Sequence, residues 1–402
     1  MIYLDNNATT ISTKKHLQEL LLLYEMHKGN PSSPHQFGRS ASVGISETRK
    51  KIASLLGVDS GEIIFTSGAT EANNFVMKSF QNCHVITTNF EHSSVYEPLR
   101  NLEYLKCVTL DTITVDLDSS LFLSDVLKNI HKETRLISFL AAHNETGHIL
   151  PVFDLADFLN WKRWGKKSFS RDLSFYENLN QYVSHHLTSQ DFQNIHFHID
   201  GVQAFGKIET QKWMHEGIDS CSLSAHKVGG ISGIGALFLR RGRKLISLIE
   251  GGPQEKKRRA GTENLIGILS FHLVCDELFA DGYWDQVLKM NQLRLFLYDK
   301  LSSYENQIEI HSPKNVTLPN TIFFSFKNKK HKNEDFIVHC DLKGICISSG
   351  SACSSGVHLP SRSVLSLGKS EFLAKNTIRV SLSKENTQEE ILEFLEVLNF
   401  FL

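Results

Sequence analysis

Residues 222–239, SLSAHKVGGISGIGALFL, place one lysine and three glycines between two apolar runs, and a fourth glycine begins the second run. The runs at 221–223 and 235–239 predict two short strands, and the tight loop between them carries Lys227. A lysine in such a loop suits a Schiff base with an aldehyde cofactor, provided that its pKa falls below the usual value of about 10.4. Burial beside positive charge lowers a lysine pKa in this way. The alternative is an ordinary lysine in a glycine-rich turn.

The overall composition is that of a globular enzyme. The 402 residues are 41% hydrophobic and 22% charged, with a formal net charge of -1, so two or three domains are expected and neither a nucleic-acid nor a membrane surface is indicated. The start of the chain lacks the basic and apolar segments of a signal peptide. Seven cysteines without regular spacing favour free thiols in a reducing compartment. We therefore expect a cytoplasmic protein.

Apolar segments alternate with helical or irregular spacers through the first two thirds of the chain. The pattern of residues 37–56 predicts a helix that ends at Gly57, and residues 62–66 predict a buried strand. Further strands are predicted at 84–88, 105–110, 136–142, 195–199 and 221–223. Such alternation indicates an α/β fold, with a mainly parallel central sheet flanked by helices. We assign this large domain to residues 15–255.

The remaining residues, 1–14 and 256–402, are predicted to form a smaller α+β domain. Its elements are a long helical stretch from 263 to about 304, strands at 321–326, 344–348 and 377–381, and a last helix at 388–400. The aromatic and basic segment 157–193 lies within the large domain. It is either an irregular surface excursion or a loop that docks a partner.

Polar turns that follow several predicted strands suggest one ligand crevice, because ligands of open α/β sheets bind beyond the carboxyl ends of the strands. Residues 67–70 join a strand to a helix, where backbone N–H groups and the Thr70 hydroxyl can hold a phosphate. Asp200 ends a strand, where a carboxylate can pair with a pyridinium nitrogen. Together with Lys227 these features favour pyridoxal phosphate over a nicotinamide cofactor, for which no G-x-G-x-x-G follows the first strand.

Two further residues carry chemistry in the smaller domain. Cys353 lies among small residues, Ser-Ser-Gly-Ser-Ala-Cys-Ser-Ser-Gly at 348–356, so its thiol should be mobile and exposed. Arg379 lies in a strand-like segment, where its planar guanidinium suits a bidentate contact with a substrate carboxylate. A structural ion pair is the alternative for Arg379.

With these residues assembled, the chain resembles the cysteine desulfurases of the NifS/IscS type, within the class-V aminotransferases of fold type I that depend on pyridoxal phosphate. The matching motifs span nearly the whole chain. They are YLDNNATT at 3–10, GNPSS at 29–33, FTSGATE at 65–71, Glu91-His92, Asn144-Glu145, Asp200 with Gln203, SAHK at 224–227, RAGTEN at 259–264 and the serine-rich run around Cys353.

The resemblance implies the role of each site residue. Lys227 forms the Schiff base, Asp200 pairs with the pyridine nitrogen, and His92 stacks on the ring and is a candidate proton shuttle. Asn144 and Arg379 bind the substrate carboxylate. The residues implied to contact the cofactor are Ala69, Thr70, His92, Asn144, Asp200, Gln203, Ser224, His226 and Lys227, with Thr262 contributed by the partner subunit of a homodimer.

The implied reaction removes sulfur from L-cysteine and gives L-alanine and a persulfide on Cys353. A mobile loop over about 348–358 would then deliver the sulfur to an acceptor protein in iron–sulfur cluster assembly or thiolation. The rival readings are a selenocysteine lyase or another β-eliminating enzyme with pyridoxal phosphate, and a catalytically silent scaffold relative. The chain departs from the family pattern at Gly201, where alanine is usual, and at His143, where many members have asparagine.

Overall fold

The computed structural model describes residues 1–115, 119–165, 171–328, 330, 332–350 and 359–402. Within these residues no helix combines the length and the apolar character needed to cross a membrane. The strands, in chain order, are β1 Ile2–Tyr3, β2 Ile63–Thr66, β3 Cys83–Thr88, β4 Val108–Ile113, β5 Thr134–Leu140, β6 His196–Asp200, β7 Ser220–Ser224, β8 Gly235–Leu239, β9 Ile308–Ile310, β10 Thr321–Phe326, β11 Ile345–Cys346 and β12 Thr377–Ser381.

Helices surround or connect these strands. In chain order they are α1 Lys14–His27, α2 Gln36–Leu56, α3 Ala69–Met77, α4 Ser93–Tyr104, α5 Ser119–Lys128, α6 Val152–Trp164, α7 Leu173–Asn180, α8 Ser189–Asn194, α9 Gln254–Lys257, α10 Leu265–Phe279, α11 Tyr283–Ser302, α12 Asn333–Leu342, α13 Arg362–Ser366, α14 Glu371–Lys375 and α15 Gln388–Phe401.

The chain divides into two compact units. The small unit comprises Met1–Thr10, Ala142–Ile149 and Ala280–Leu402, and the large unit comprises Ile11–Ala141 and Leu150–Phe279. These bounds differ from the domain boundaries predicted from the sequence. Helix α10 belongs to the large unit because it packs against α1 and α2.

The large unit is built on a seven-stranded sheet in the order β2-β8-β7-β6-β5-β3-β4. Strand β8 runs antiparallel to both of its neighbours, and the other pairs are parallel. Strands β6, β7 and β8 are buried along their whole length, as expected for a sheet covered on both faces. The predicted mainly parallel sheet is therefore confirmed.

Helix α2 shows how sequence determines an element in this unit. It ends at Gly57, which takes the left-handed conformation (φ 67°) that glycine adopts without strain and donates back to Ala53 and Ser54. Its buried face includes Ile45 and Ile52. Val43 of the same helix is 49% exposed.

The segment 157–193 is helical over much of its described length, so the expectation of an irregular excursion is wrong there. Helices α6, α7 and α8 fall within or overlap it. Tyr176 is fully buried, and its hydroxyl donates to Asp157 at 2.9 Å. The described part is thus integrated into the fold of the large unit, and its role as a docking loop stays a prediction.

The small unit contains two sheets. Strands β12, β10 and β9 form an antiparallel sheet, and β1 pairs in parallel with β11. Helices α12 and α15 pack together, and their Phe336 and Phe401 contact Phe326 of β10 at ring distances of 5.4 and 5.5 Å. The predicted continuous helix over 263–304 is wrong, because Gly282 takes φ 79° and begins a separate helix, α11.

Candidate active site

The predicted cofactor residues of the large unit meet at one edge of its sheet. Thr66 at the end of β2 pairs with Gly235 at the start of β8, and Ser224 at the end of β7 pairs with the same glycine. Asp200 at the end of β6 pairs with Ser222 of β7. The turns after β2, β6 and β7 therefore leave the sheet side by side, as the sequence analysis expected.

Lys227 lies in a short 3₁₀ turn, Ala225–Val228, directly after β7. The turn ends at Gly229 with φ 93°, and the Ser12 hydroxyl donates to the carbonyl of Gly229 at 2.7 Å. The following glycine-rich loop is also held, because Ile231 N–H donates to Ser270 Oγ at 2.9 Å. Lys227 is thus displayed on an anchored loop.

His226 next to this lysine is neutral at physiological pH. Burial, with the positive charges of Lys227 and Lys207, lowers the pKa of His226 to about 4. A neutral imidazole can still donate one N–H to a phosphate. Lys207 therefore adds a second positive charge close to the turn that carries Lys227.

Asp200 is a buried carboxylate, 6% exposed, with both oxygens engaged by amide donors. Oδ2 accepts from Asn73 Nδ2 at 2.8 Å, and Oδ1 accepts from Val202 N–H at 3.1 Å. It makes no ion pair with any residue in the described ranges. A buried carboxylate without a cation is costly, so a protonated ring nitrogen would supply the counter-charge that the protein lacks here.

The start of α3 is arranged to accept an anion. Gly68 precedes the helix without a side-chain cap, so the first N–H groups of the helix, at Ala69 and Thr70, are not capped by a side chain. Thr70 is exposed. The turn before it is held by Glu71, which accepts from Ser67 N–H at 2.8 Å and pairs with Arg259 at 2.9 Å. The predicted phosphate position is therefore open and fixed.

His92 caps the N-terminus of α4 with its imidazole. Its Nδ1 accepts from Ser94 N–H at 3.1 Å and lies 2.8 Å from Ser94 Oγ. The turn that carries His92 is anchored by buried Glu91, whose Oε1 accepts from Thr88 Oγ1 and from Leu140 N–H. Because β3 ends at Thr88 and β5 at Leu140, Glu91 ties His92 to the edge of the sheet.

The remaining large-unit residues predicted to contact the cofactor also lie near this edge. Ser224 ends β7 and is buried. Gln203 is buried after Asp200, and its Oε1 accepts from Lys207 Nζ at 2.5 Å. Thr262 lines a cavity of about 130 Å³ with Ser67 of the same chain.

The small unit contains the two predicted substrate-binding residues, and they touch. Arg379 Nη1 donates to the carbonyl of Asn144 at 3.2 Å, and Nη2 forms an ion pair with Asp5 at 2.8 Å. The Arg379 side chain is 5% exposed, yet its Nε has no hydrogen-bond partner among the described residues. The structural ion pair is therefore present, and the binding of a substrate carboxylate by Arg379 stays a prediction.

Cys353 lies outside the described residues, and so do its neighbours from 351 to 358. The two described flanks are tied to the Arg379 region. Ser348 donates to Asp5 Oδ1 at 2.7 Å and forms a backbone bridge with Arg379. On the other side, Ser361 and Ser363 donate to Glu145 at 2.7 and 2.5 Å.

The two departures from the family pattern have local physical causes. A Cβ on Gly201 would lie 2.6 Å from Cys221 Sγ and 2.9 Å from the Trp213 ring, so alanine does not fit. His143 Nδ1 accepts from the N–H groups of Glu145 and Thr146 at 3.2 and 3.0 Å. A short polar side chain makes the same kind of turn-stabilising bond.

Sequence reasoning missed Asn73 and Asp5, the partners of Asp200 and Arg379. Asp5 lies within a recognised motif and Asn73 lies two residues after one, but neither residue type signals a partner that is 374 or 127 residues away along the chain. Taken together, the uncharged surroundings of Asp200 and the uncapped start of α3 fit pyridoxal phosphate.

Comparisons with known proteins agree with this arrangement. The family model described as aminotransferase class-V matches residues 2–162 and 184–394. Cysteine desulfurase IscS of Dictyoglomus turgidum is 34% identical over 404 residues, covering 99% of this chain and 93% of the relative. The interruption of the family match falls inside the predicted insertion 157–193.

Solved structures give the same result. A NifS-like protein superposes with a TM-score of 0.82 at 30% identity, covering 99% of both chains. The structure of SspA in complex with cysteine gives a TM-score of 0.72 at 26% identity, covering 96% of this chain and all of that one. The recognised resemblance and the expected fold are confirmed.

Proposed function

The chain belongs to the aminotransferase class-V family, and within that family of enzymes we propose that it is a cysteine desulfurase with pyridoxal phosphate as its cofactor. Full-length similarity to proteins named cysteine desulfurase supports this activity. The observation that carries the proposal is the sheet edge of the large unit, where Lys227, Asp200 and an uncapped helix start follow β7, β6 and β2 at the same end of the sheet.

The large unit supplies the proposed cofactor residues. The Lys227 amine would bind the aldehyde, buried Asp200 would pair with the ring nitrogen, and the N–H groups of Ala69 and Thr70 would hold the phosphate together with Ser224 and His226. Gln203 follows Asp200 by three residues, and its amide is proposed to contact the phenolic oxygen of the cofactor ring. When bound, the cofactor withdraws electrons from the substrate and so makes its α-proton and its sulfur reactive.

The small unit supplies the proposed substrate residues. Arg379 Nε is a buried, unpaired donor in an otherwise hydrogen-bonded guanidinium, and an amino-acid carboxylate would satisfy it. The Asn144 side chain is half-buried and makes no hydrogen bond to the described residues, so its amide can bind the same carboxylate. The Lys227 amine is the proposed base for the α-proton.

Cys353 is the proposed sulfur acceptor. In the net reaction, L-cysteine and the Cys353 thiol become L-alanine and a Cys353 persulfide, so that atoms and electrons balance without an added oxidant. The persulfide would pass its outer sulfur to a protein of iron–sulfur cluster assembly or thiolation. We place this activity in the cytoplasm.

We also propose a homodimer in which Thr262 reaches the cofactor of the partner subunit. The outward face of α1 supports an interface in the large unit, because Leu21, Leu22 and Met26 are 61%, 69% and 68% exposed. Apolar side chains concentrated on one helix face are typical of a surface that is covered in the assembled protein.

The test supplies L-cysteine to the wild type, Cys353→Ser and the matched control Cys346→Ser, which alters a half-buried thiol of the same unit. Wild type and control should form alanine and gain one sulfur atom on the peptide that contains Cys353, as measured by mass spectrometry. Cys353→Ser should retain the cofactor but form no persulfide. Normal sulfur transfer by Cys353→Ser would contradict the proposal.

A further inference from the structure

Asn73 on α3 is a buried amide with charged or titratable groups on both sides. Its side chain is completely buried. Nδ2 donates to Asp200 Oδ2 and to Ser94 Oγ, each at 2.8 Å, and Oδ1 lies 3.0 Å from His198 Nε2. Both amide hydrogens and the oxygen are therefore used, and Asn73 links two predicted cofactor residues, Asp200 directly and His92 through Ser94.

The protonation of His92 follows from counting donors. Ser94 N–H points at His92 Nδ1, and a backbone N–H can be accepted only by an unprotonated ring nitrogen. Ser94 Oγ already accepts from Asn73, so its own proton is available to Nδ1 as well. The positive end of the α4 dipole further disfavours an imidazolium at this position. His92 is thus neutral, with its proton on Nε2.

The donor and acceptor roles of the histidines on the other side of Asn73 can be assigned in the same way. His198 must donate from Nε2, because Asn73 offers it an oxygen, and its Nδ1 then accepts from Ser220 at 2.8 Å. Ser220 in turn accepts from His196 Nε2 at 2.7 Å. Burial lowers the pKa of His198 to about 3, so this ring stays neutral across the physiological range.

The reverse orientation of the Asn73 amide is excluded by its neighbours. A rotated amide would place its oxygen against the carboxylate of Asp200 and against a serine that must donate to His92. The orientation described here gives each of the three neighbours a matching group. The backbone N–H of Ser94, which donates to His92 Nδ1, gives the same tautomer of His92 without reference to Asn73.

We propose that Asn73 is a positioning residue that fixes Asp200 as a charged acceptor and His92 as a neutral Nε2–H donor. The network gives His92 a fixed N–H and no free basic nitrogen, because Nδ1 is used by the helix cap. The inference rests on the proposed function only for the identity of the ring that the two residues face.

The first measurement needs no cofactor. Protein labelled with ¹⁵N-histidine is studied at pH 7.5 without pyridoxal phosphate, and the His92 and His198 signals are assigned by their loss in His92→Gln and His198→Gln. Two-bond ¹⁵N–¹H correlations distinguish the two neutral tautomers and the imidazolium. Both residues should be neutral with the proton on Nε2. An imidazolium or an Nδ1–H tautomer at His92 would overturn the proposal.

Two variants then test the role of Asn73. Asn73→Ala should shift the signals of both His92 and His198 and weaken binding of pyridoxal phosphate roughly tenfold to a hundredfold, the loss expected for a hydrogen bond to a charged group. Asn160→Ala removes another buried asparagine, bonded to Glu216 at 2.8 Å, and should leave the tautomers and the cofactor affinity unchanged.

Ser94→Ala disrupts a smaller part of the hydrogen-bond network and serves as the test if Asn73→Ala does not fold. It separates Asn73 from His92 alone, so the His92 signals should change while those of His198 stay as in the wild type. Unchanged His92 signals in this variant would contradict the proposal. Failure of wild-type protein to bind pyridoxal phosphate would instead contradict the proposed function, because the tautomers are measured without it.

Discussion

Asp200 in the large unit and Arg379 in the small unit are both buried charges at predicted binding positions, but their surroundings differ. Asp200 has both oxygens engaged by uncharged amide donors and no ion-pair partner in the described part of the chain. Arg379 has an ion-pair partner in Asp5 and a buried Nε without an acceptor.

This difference matches the residence time of the two proposed ligands. A carboxylate held rigidly by Asn73 and the backbone is suited to a cofactor that stays bound through many turnovers. A guanidinium that already pairs with Asp5 remains stable when empty, and its remaining N–H can bind a substrate that comes and goes. The comparison therefore distinguishes the proposed cofactor site at Asp200, called the permanent site below, from the proposed substrate site at Arg379.

Removing Arg379 tests the proposed substrate site. Arg379→Ala should raise the KM for L-cysteine roughly tenfold to a hundredfold, because hydrogen bonds to a charged group are worth about 1.5–3 kcal/mol. Bound cofactor, measured by its visible absorption, should remain as in the wild type. Steady-state kinetics with L-cysteine measure this KM.

The matched control is Arg241→Ala, which removes an exposed arginine paired with Asp59 in the large unit. Its KM should equal that of the wild type. The distinction between the two sites fails if Arg379→Ala has an unchanged KM, or if it loses the cofactor.

Crowding Gly201 tests the rigidity of the permanent site. Gly201→Ala should lower the free energy of unfolding of the protein by about 1–3 kcal/mol, because the added methyl overlaps Cys221 and Trp213. Adding Cys221→Ala should restore part of the loss, since Sγ is the nearest obstacle. Urea unfolding measures both changes, and wild-type stability in Gly201→Ala would contradict a tightly packed turn.

A buried histidine of the small unit gives a smaller, pH-dependent effect. Burial lowers the pKa of His148 to about 4, against an ordinary value of about 6.5. Between these values the unfolded chain binds a proton that the folded chain does not, so stability falls as the pH is lowered. His148→Gln should remove up to about 1.4 kcal/mol per pH unit from that slope.

Urea unfolding at several pH values between 4 and 6.5 measures the slope. His185, which lies outside the small unit and is exposed, provides a control through His185→Gln, whose slope should match that of the wild type. A slope that is identical in wild type and His148→Gln would show that His148 is not protected from protonation.

The sequence predicted several short apolar strands at their observed bounds. Strands β8, β10 and β12 have the predicted bounds. Strand β4 begins at Val108 instead of 105, because Lys106 takes φ 57° and Leu105 is 58% exposed. Hydrophobicity alone did not distinguish this turn from a strand.

The sequence pointed to the candidate residues that follow strands, but not to the partners that support them. Asp200 and Lys227 follow apolar runs, and this position is visible in the sequence. Asn73 and Asp5 act through hydrogen bonds and ion pairs to residues far along the chain, which only the folded structure reveals. The tautomer of His92 likewise depends on its place at the start of α4.

Visible absorption of the purified protein tests the central claim most directly. The wild type should bind pyridoxal phosphate, remain yellow after dialysis and change its spectrum on addition of L-cysteine. Lys227→Ala should lose the band of the wild-type protein and its turnover, by roughly 10⁴-fold or more. A wild-type protein that stays colourless with added pyridoxal phosphate, or a Lys227→Ala variant with normal turnover, would contradict the account.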